Sequence, residues 1–108
     1  MSEPTIHDPV LNTLVTELRK RLGTRLTQVW LFGSRARGDA REDSDYDVLV
    51  IAEGDVRDSK EQVQEAGWAC MERLGHLVAC IVYTPEQWNQ RKHSPLGWNI
   101  QKEGKVVA

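Results

Sequence analysis

The strongest constraint on the fold is a glycine–serine turn between two apolar segments, followed by two alternating aspartates. Gly33 and Ser34 end one apolar run, and Asp45 and Asp47 stand at the start of the next. Residues at i and i+2 of a strand share a face, so both carboxylates point to the same side. Glycine lets a backbone approach a ligand closely, and a helix that starts at a serine presents unpaired N–H groups to phosphate. The pattern predicts a phosphate-binding turn beside a cation-binding pair.

Each half of this pattern would be ordinary alone, because serine caps and acidic turns are common next to strands. The combination is more informative, and Arg35 and Arg37 add positive charge next to the turn. Two carboxylates as close as those of Asp45 and Asp47 repel each other unless a cation or a proton intervenes. Magnesium binds carboxylate and phosphate oxygens, so these residues supply the minimum for metal-assisted chemistry on a nucleoside triphosphate.

Composition limits the class of protein. The chain has 108 residues, which fits one domain over 1–108, with residues 1–7 forming a flexible arm. A net charge of −2 argues against broad nucleic-acid binding, which needs a basic face. No apolar run approaches the ~20 residues of a membrane helix, and the polar N-terminus is not a signal peptide. We therefore expect a cytoplasmic protein without membrane contact, with Cys70 and Cys80 as reduced thiols.

Periodicity and turn signals predict an α/β (α+β) protein with a short sheet layered against helices. Asp8 and Pro9 have the pattern of a helix start, and Ser59 with Gln62 has capping-box spacing for a later helix. The predicted elements are, in order, a helix over 9–22, a strand over 26–32, a short helix within 34–40, a strand over 46–52, a helix ending before Gly75, a strand over 77–83, short helical segments after Thr84 and over 95–100, and a final strand or frayed end at 106–107.

The paired motif resembles that of the nucleotidyltransferase superfamily, which includes DNA polymerase beta and the minimal nucleotidyltransferases. The resemblance covers roughly residues 11–107. The stretches that carry it are Gly33–Gly38, Ser44–Asp47, Tyr83–Glu86 and Lys102–Gly104. It implies the nucleotidyltransferase fold, a short mixed β-sheet packed with helices.

The resemblance also implies a role for each candidate residue. The turn would hold the β and γ phosphates of ATP or another nucleoside triphosphate, assisted by the nearby arginines. The aspartates would hold two magnesium ions, one for the leaving pyrophosphate and one for the acceptor hydroxyl that attacks the α-phosphorus. The implied nucleotide-binding residues are Gly33, Ser34, Arg35 and Arg37, and the implied catalytic and metal-binding residues are Asp45 and Asp47.

The chain departs from the family pattern at one position. The family usually carries a third carboxylate on the next strand, where alignment puts Ala79, or Cys80 after a slip of one residue. Neither side chain supplies an oxygen ligand, so we expect the site for the attacking hydroxyl to be weakened more than the site for the triphosphate. Glu53 and Asp55, beyond the second strand, are candidates for a replacement acid.

Two functions compete under this resemblance. The first is a magnesium-dependent nucleotidyltransferase that moves a nucleoside monophosphate, AMP from ATP being the expected case, to a hydroxyl acceptor on a partner protein. The second is a catalytically weak or inactive antitoxin of the same fold, which binds and neutralises a HEPN-type toxin encoded nearby. Small family members often accompany such a helical partner, and the missing third carboxylate raises the weight of the second function.

Overall fold

A computed structural model describes residues 8–108, and the flexible arm expected over residues 1–7 lies outside the described residues. Helix α1 (Pro9–Leu22) begins as predicted, because the Asp8 side chain accepts hydrogen bonds from two backbone N–H groups of its first turn, at 2.8 and 3.2 Å. The helix ends at Gly23, which has a positive φ of 57°. A short 3-10 turn over Gly23–Arg25 then leads into the sheet.

The other elements of the described segment follow the predicted order. Both central strands have the predicted bounds, whereas the last helix extends beyond the predicted residue 100 to Glu103 and ends at Gly104, whose N–H donates a 2.7 Å hydrogen bond to the Ile100 carbonyl. These elements are β1 (Leu26–Phe32), α2 (Ser34–Arg37), β2 (Tyr46–Ala52), α3 (Val56–Leu74), β3 (Val78–Tyr83), α4 (Pro85–Arg91), α5 (Pro95–Glu103) and β4 (Lys105–Val106).

The predicted capping box at Ser59 and Gln62 is wrong. Helix α3 begins earlier, with Asp55 as its N-cap, and Ser59 is fully buried within the helix. The Ser59 hydroxyl accepts a 2.6 Å hydrogen bond from the guanidinium of Arg25. Its polar character therefore serves a contact between α3 and the loop before β1, which sequence spacing alone does not reveal.

The sheet is mixed, which confirms the predicted fold class. Within residues 8–108 its four strands have the order β3-β2-β1-β4, with β1 antiparallel to β2 and β4, and β2 parallel to β3. In this register Asp47 lies between Phe32 on β1 and Ala79 on β3. The end of β1 and the starts of β2 and β3 therefore meet at one end of the sheet.

Helices cover both faces of the sheet. The face that contacts α1 and α3 carries the larger apolar cluster, including Val29, Val48 and Val50. The opposite face carries Leu49 and Ile51, which pack with Trp88, Ile100 and neighbouring aromatic side chains. Because side chains alternate along β2, Asp47 points to this second face and lies next to its apolar cluster.

Two expectations from composition can be compared with the fold. Cys70 and Cys80 are both free cysteines, the first buried and the second partly buried. Among residues 8–108, none of the helices has the length and apolar character needed to cross a membrane.

Candidate active site

Gly33 occupies a conformation that only glycine adopts readily. Its φ of 75° and ψ of −159° place it in a region that side chains with a Cβ atom essentially avoid. A Cβ at this position would overlap the Asp47 carboxylate, whose Cγ would lie only 3.1 Å from it. The main chain of the turn and the carboxylate of β2 are therefore in direct contact.

The turn leaves donors available at the start of α2. The Gly33 carbonyl accepts hydrogen bonds from the N–H groups of Ala36 and Arg37, both at 3.1 Å. The N–H groups that precede them in the helix, those of Ser34 and Arg35, have no carbonyl one turn earlier to bond within the helix. The Ser34 hydroxyl makes no hydrogen bond within residues 8–108 and does not cap the helix. The predicted phosphate turn thus has a hydroxyl and main-chain donors at one place.

The two aspartates lie without compensating partners. Asp45 is exposed and Asp47 is partly buried, and neither carboxylate accepts a hydrogen bond or forms an ion pair in the part of the chain that the structure describes. Burial raises the pKa of the Asp47 carboxyl, the negative charge of Asp45 raises it further, and the positive charge of Arg37 opposes both. The pair therefore carries negative charge that no hydrogen bond or ion pair compensates in the described part of the chain.

The two arginines after the turn have different surroundings. Arg37 is exposed, and its guanidinium pairs with Asp39 and with Glu103 on α5, each at 3.2 Å. Arg35 is partly buried and donates three hydrogen bonds to backbone carbonyls of Glu42 and Ser44. Arg37 is therefore paired with carboxylates, whereas Arg35 is bound to the loop that precedes β2.

The position of the third family carboxylate is now defined. Ala79 lies directly opposite Asp47 on β3 and is exposed, so it faces the candidate site. Cys80 lies opposite Val48 and packs on the other face, where burial raises the pKa of its thiol to about 12. Within residues 8–108, no cluster of three or more histidine, cysteine or acidic side chains could hold a metal ion.

Glu53 and Asp55 do not replace the missing acid, so this alternative is wrong. Both follow the far end of β2, about 20 Å along the strand from Asp47 at ~3.3 Å per residue. Asp55 is moreover engaged as the N-cap of α3, where its carboxylate accepts a 2.9 Å hydrogen bond from the N–H of Arg57. Position 79, which pairs with Asp47 on the neighbouring strand, therefore has no carboxylate.

Two residues near the site, Glu103 and Tyr46, make contacts that the sequence does not indicate. Glu103 pairs with Arg37 across 66 residues of sequence, and only its position in the family-like stretch Lys102–Gly104 singled it out. Tyr46 lies between the aspartates on the opposite face and donates a 2.6 Å hydrogen bond to Asp8. Burial is the main reason why the pKa of Tyr46 is raised to about 12, and the hydrogen bond to Asp8, which ionisation would break, contributes to the same shift. These contacts are long-range and have no local sequence signal.

Comparison with protein families decides the assignment. The family model described as the nucleotidyltransferase domain matches residues 11–105. The chain belongs to this family. The match confirms the predicted resemblance and the predicted class of enzyme, a nucleotidyltransferase.

Curated relatives carry a more specific name. The chain is 27% identical over 100 residues to "Putative protein adenylyltransferase MJ0604" of Methanocaldococcus jannaschii, covering 93% of this chain and 96% of that protein. It is 46% identical over 43 residues to "Protein adenylyltransferase MntA" of Thermococcus cleftensis, covering 40% of this chain and 41% of that protein. The second match is thus local, whereas the first spans nearly the whole of both chains.

Solved structures agree with the fold. A toxin–antitoxin structure with AMP-PNP has a TM-score of 0.66 at 21% identity, covering 90% of this chain and 71% of that one. A mutant toxin–antitoxin MntA-HpeT structure has a TM-score of 0.61 at 18% identity, with the same coverages. At these identities the similarity establishes a shared fold.

Proposed function

We propose that this chain is a magnesium-dependent nucleotidyltransferase that transfers AMP from ATP to a hydroxyl group on a partner protein. The observation that carries the proposal is the contact between the Gly33 main chain and the Asp47 carboxylate. It brings the donors of the turn and the carboxylate pair to one place, where a single nucleotide can contact both. The names of the curated relatives support AMP as the transferred group and protein as the acceptor.

The chemistry of the donor set fits magnesium. The carboxylates of Asp45 and Asp47 are hard oxygen donors without a partner in the described part of the chain, and the negative charge of Asp45 makes ionisation of Asp47 less favourable. A triphosphate would add further negative charge to the same place. A divalent cation held by Asp45 and Asp47 would compensate both the charge of the carboxylates and the charge of the triphosphate.

The proposed reaction forms a bond between an acceptor oxygen and the α-phosphorus and breaks the bond from that phosphorus to the bridging oxygen of pyrophosphate, with the hydroxyl proton passing to water. Magnesium held by Asp45 and Asp47 would neutralise the phosphates and lower the pKa of the acceptor hydroxyl. Gly33 lets the phosphates approach the main chain, and Ser34 donates to them from its hydroxyl and N–H groups. Arg37 contributes positive charge from the edge of the site. The protein thus acts by positioning and charge neutralisation.

The acceptor proposed here is a HEPN-type helical protein encoded next to this chain. The test mixes the purified chain with labelled ATP, magnesium and that neighbouring protein, and follows transfer of label. We expect transfer with the wild-type chain and none with Asp45→Asn. Arg57→Ala, which removes an exposed charge at the far end of the fold, is the matched control and should retain transfer. Absence of any transfer by the wild-type chain would contradict an enzymatic role.

A second function is favoured by a specific observation, the alanine that faces Asp47 from β3. Without an acid at Ala79, the acceptor side of the site lacks an oxygen ligand, and the chain would neutralise a HEPN-type toxin by contact alone. This alternative predicts a tight complex whose stability is unchanged by Asp45→Asn and Asp47→Asn. Loss of toxin neutralisation in those variants, with the complex intact, would instead support the enzyme.

A further inference from the structure

The guanidinium of Arg35 contacts backbone carbonyls and an aromatic ring of the protein itself. Its Nε and Nη2 atoms donate to the Ser44 carbonyl at 3.1 and 2.8 Å, and Nη2 also donates to the Glu42 carbonyl at 3.0 Å. Its guanidinium carbon lies 4.1 Å from the centre of the Tyr46 ring. Ser44 immediately precedes Asp45 in the loop, and Tyr46 immediately follows it as the first residue of β2.

We infer that Arg35 is a positioning residue, which holds the loop over residues 41–45 so that the Asp45 carboxylate lies beside Asp47. This inference rests on the proposed function, in which Asp45 and Asp47 bind magnesium together. It assigns Arg35 a different role from Arg37, although both belong to the same four-residue helix.

The geometry of the loop explains why it requires an external support. Its turn is closed by two hydrogen bonds between the same two residues, from the Ser44 N–H to the Arg41 carbonyl at 3.0 Å and from the Arg41 N–H to the Ser44 hydroxyl at 2.9 Å. Residues 41–43 and Asp45 are exposed, so apolar burial contributes little to their order. The bonds from Arg35 attach this turn to α2 and hence to the phosphate turn.

Arginine is the side chain that these contacts require. A planar guanidinium donates along fixed directions and stacks on an aromatic ring, which the compact ammonium of lysine does not reproduce. Tyr46 is in turn fixed by its 2.6 Å hydrogen bond to Asp8 and by an edge contact with the ring of His76. The stack therefore links Arg35, and through it the loop before Asp45, to a buried part of the fold.

The test compares Arg35→Lys with Arg57→Lys, a control distant from the site; both substitutions preserve the positive charge. Amide hydrogen exchange over residues 41–45 is measured without ligand, with exchange in α1 reporting the integrity of the fold. Binding of Mn²⁺ alone is measured by electron paramagnetic resonance, as a probe of the carboxylate pair.

For Arg35→Lys we expect faster exchange confined to residues 41–45 and a weakening of Mn²⁺ binding of about tenfold, the usual effect of removing a residue that orients a metal ligand. Arg57→Lys should change neither quantity by more than about twofold. Unchanged exchange in the loop of Arg35→Lys would overturn the inference, as would unchanged Mn²⁺ binding where exchange has increased. If the wild-type chain bound no Mn²⁺, the proposed function would fail, whereas the exchange result would still decide whether Arg35 orders the loop.

Discussion

Restoring an acid at position 79 is the most informative perturbation of this site. Ala79 is exposed and pairs directly with Asp47, so an aspartate there would extend over the same face of the sheet without being buried. Neighbouring strands lie ~4.8 Å apart, so the two carboxylates would be separated by about 5 Å. The variant Ala79→Asp therefore creates the third carboxylate of the family pattern at the position where the register allows it to act.

The cost of this change without metal follows from Coulomb's law. Two unit charges about 5 Å apart repel by about 1 kcal/mol in bulk water and by about 3 kcal/mol at an effective dielectric constant of about 20. The lower value is the better guide, because position 79 is open to solvent. We expect Ala79→Asp to lower the melting temperature by about 5 °C in EDTA at neutral pH, relative to the neutral control Ala79→Asn.

Magnesium should reverse the sign of this effect. The same three negative charges that repel one another attract a divalent cation, so Ala79→Asp should bind Mn²⁺ about tenfold more tightly than Ala79→Asn, which corresponds to about 1.4 kcal/mol. Thermal unfolding with and without magnesium measures the stability part, and transfer of label from ATP to the partner protein should rise by a similar factor. Identical melting temperatures, metal affinities and transfer rates in the aspartate and asparagine variants would refute the proposed geometry at this position.

Three further predictions test other parts of the account. Gly33→Ala should abolish binding of magnesium–AMP-PNP in calorimetric titration, because the added Cβ overlaps Asp47. The control Gly38→Ala is also at positive φ (84°) but has open space around its Cβ, so it should lose about 1 kcal/mol of stability and keep binding. Asp47→Asn should stabilise the metal-free protein in denaturant titrations at neutral pH. Because the pKa of Asp47 is raised, the native state binds more protons than the unfolded state, and wild-type stability falls as pH rises through that pKa. The stability gained by Asp47→Asn should therefore vanish below the ordinary pKa of 3.8. A gain in stability that is independent of pH would contradict the charge argument. Glu17→Gln should destabilise the chain at neutral pH, because the Glu17 side chain is 5% exposed between three basic residues that hold its pKa low. This loss of stability should disappear as pH falls through the lowered pKa of Glu17. Equal stability of the wild-type and Glu17→Gln proteins at pH 7 would contradict the prediction.

Local signals explain which parts of the fold could be predicted from sequence. The bounds of β1 and β2 follow from apolar runs that end at a glycine or an acidic turn, and the start of α1 follows from Asp8 and Pro9. The pattern of Gly33-Ser34 followed by Asp45 and Asp47 predicted the family, because the resemblance rests on these residue types at this spacing, around one turn and the start of one strand.

Long-range contacts explain what sequence could not provide. Ser59 looked like a cap, yet its partner Arg25 lies 34 residues away. The two arginines of the turn looked equivalent, and only the folded loop shows that Arg35 holds the carbonyls around Asp45 while Arg37 reaches Glu103. Choosing between Ala79 and Cys80 likewise required the register between β2 and β3.

Calorimetric titration of AMP-PNP tests the central claim most directly. If Asp45 and Asp47 hold the cations of a triphosphate that lies against Gly33 and Ser34, the wild-type chain binds AMP-PNP in magnesium and at least about tenfold more weakly in EDTA. Asp45→Asn and Asp47→Asn should reduce the affinity in magnesium to the EDTA value. Equal affinity in magnesium and EDTA, or unchanged affinity in both asparagine variants, would contradict the claim.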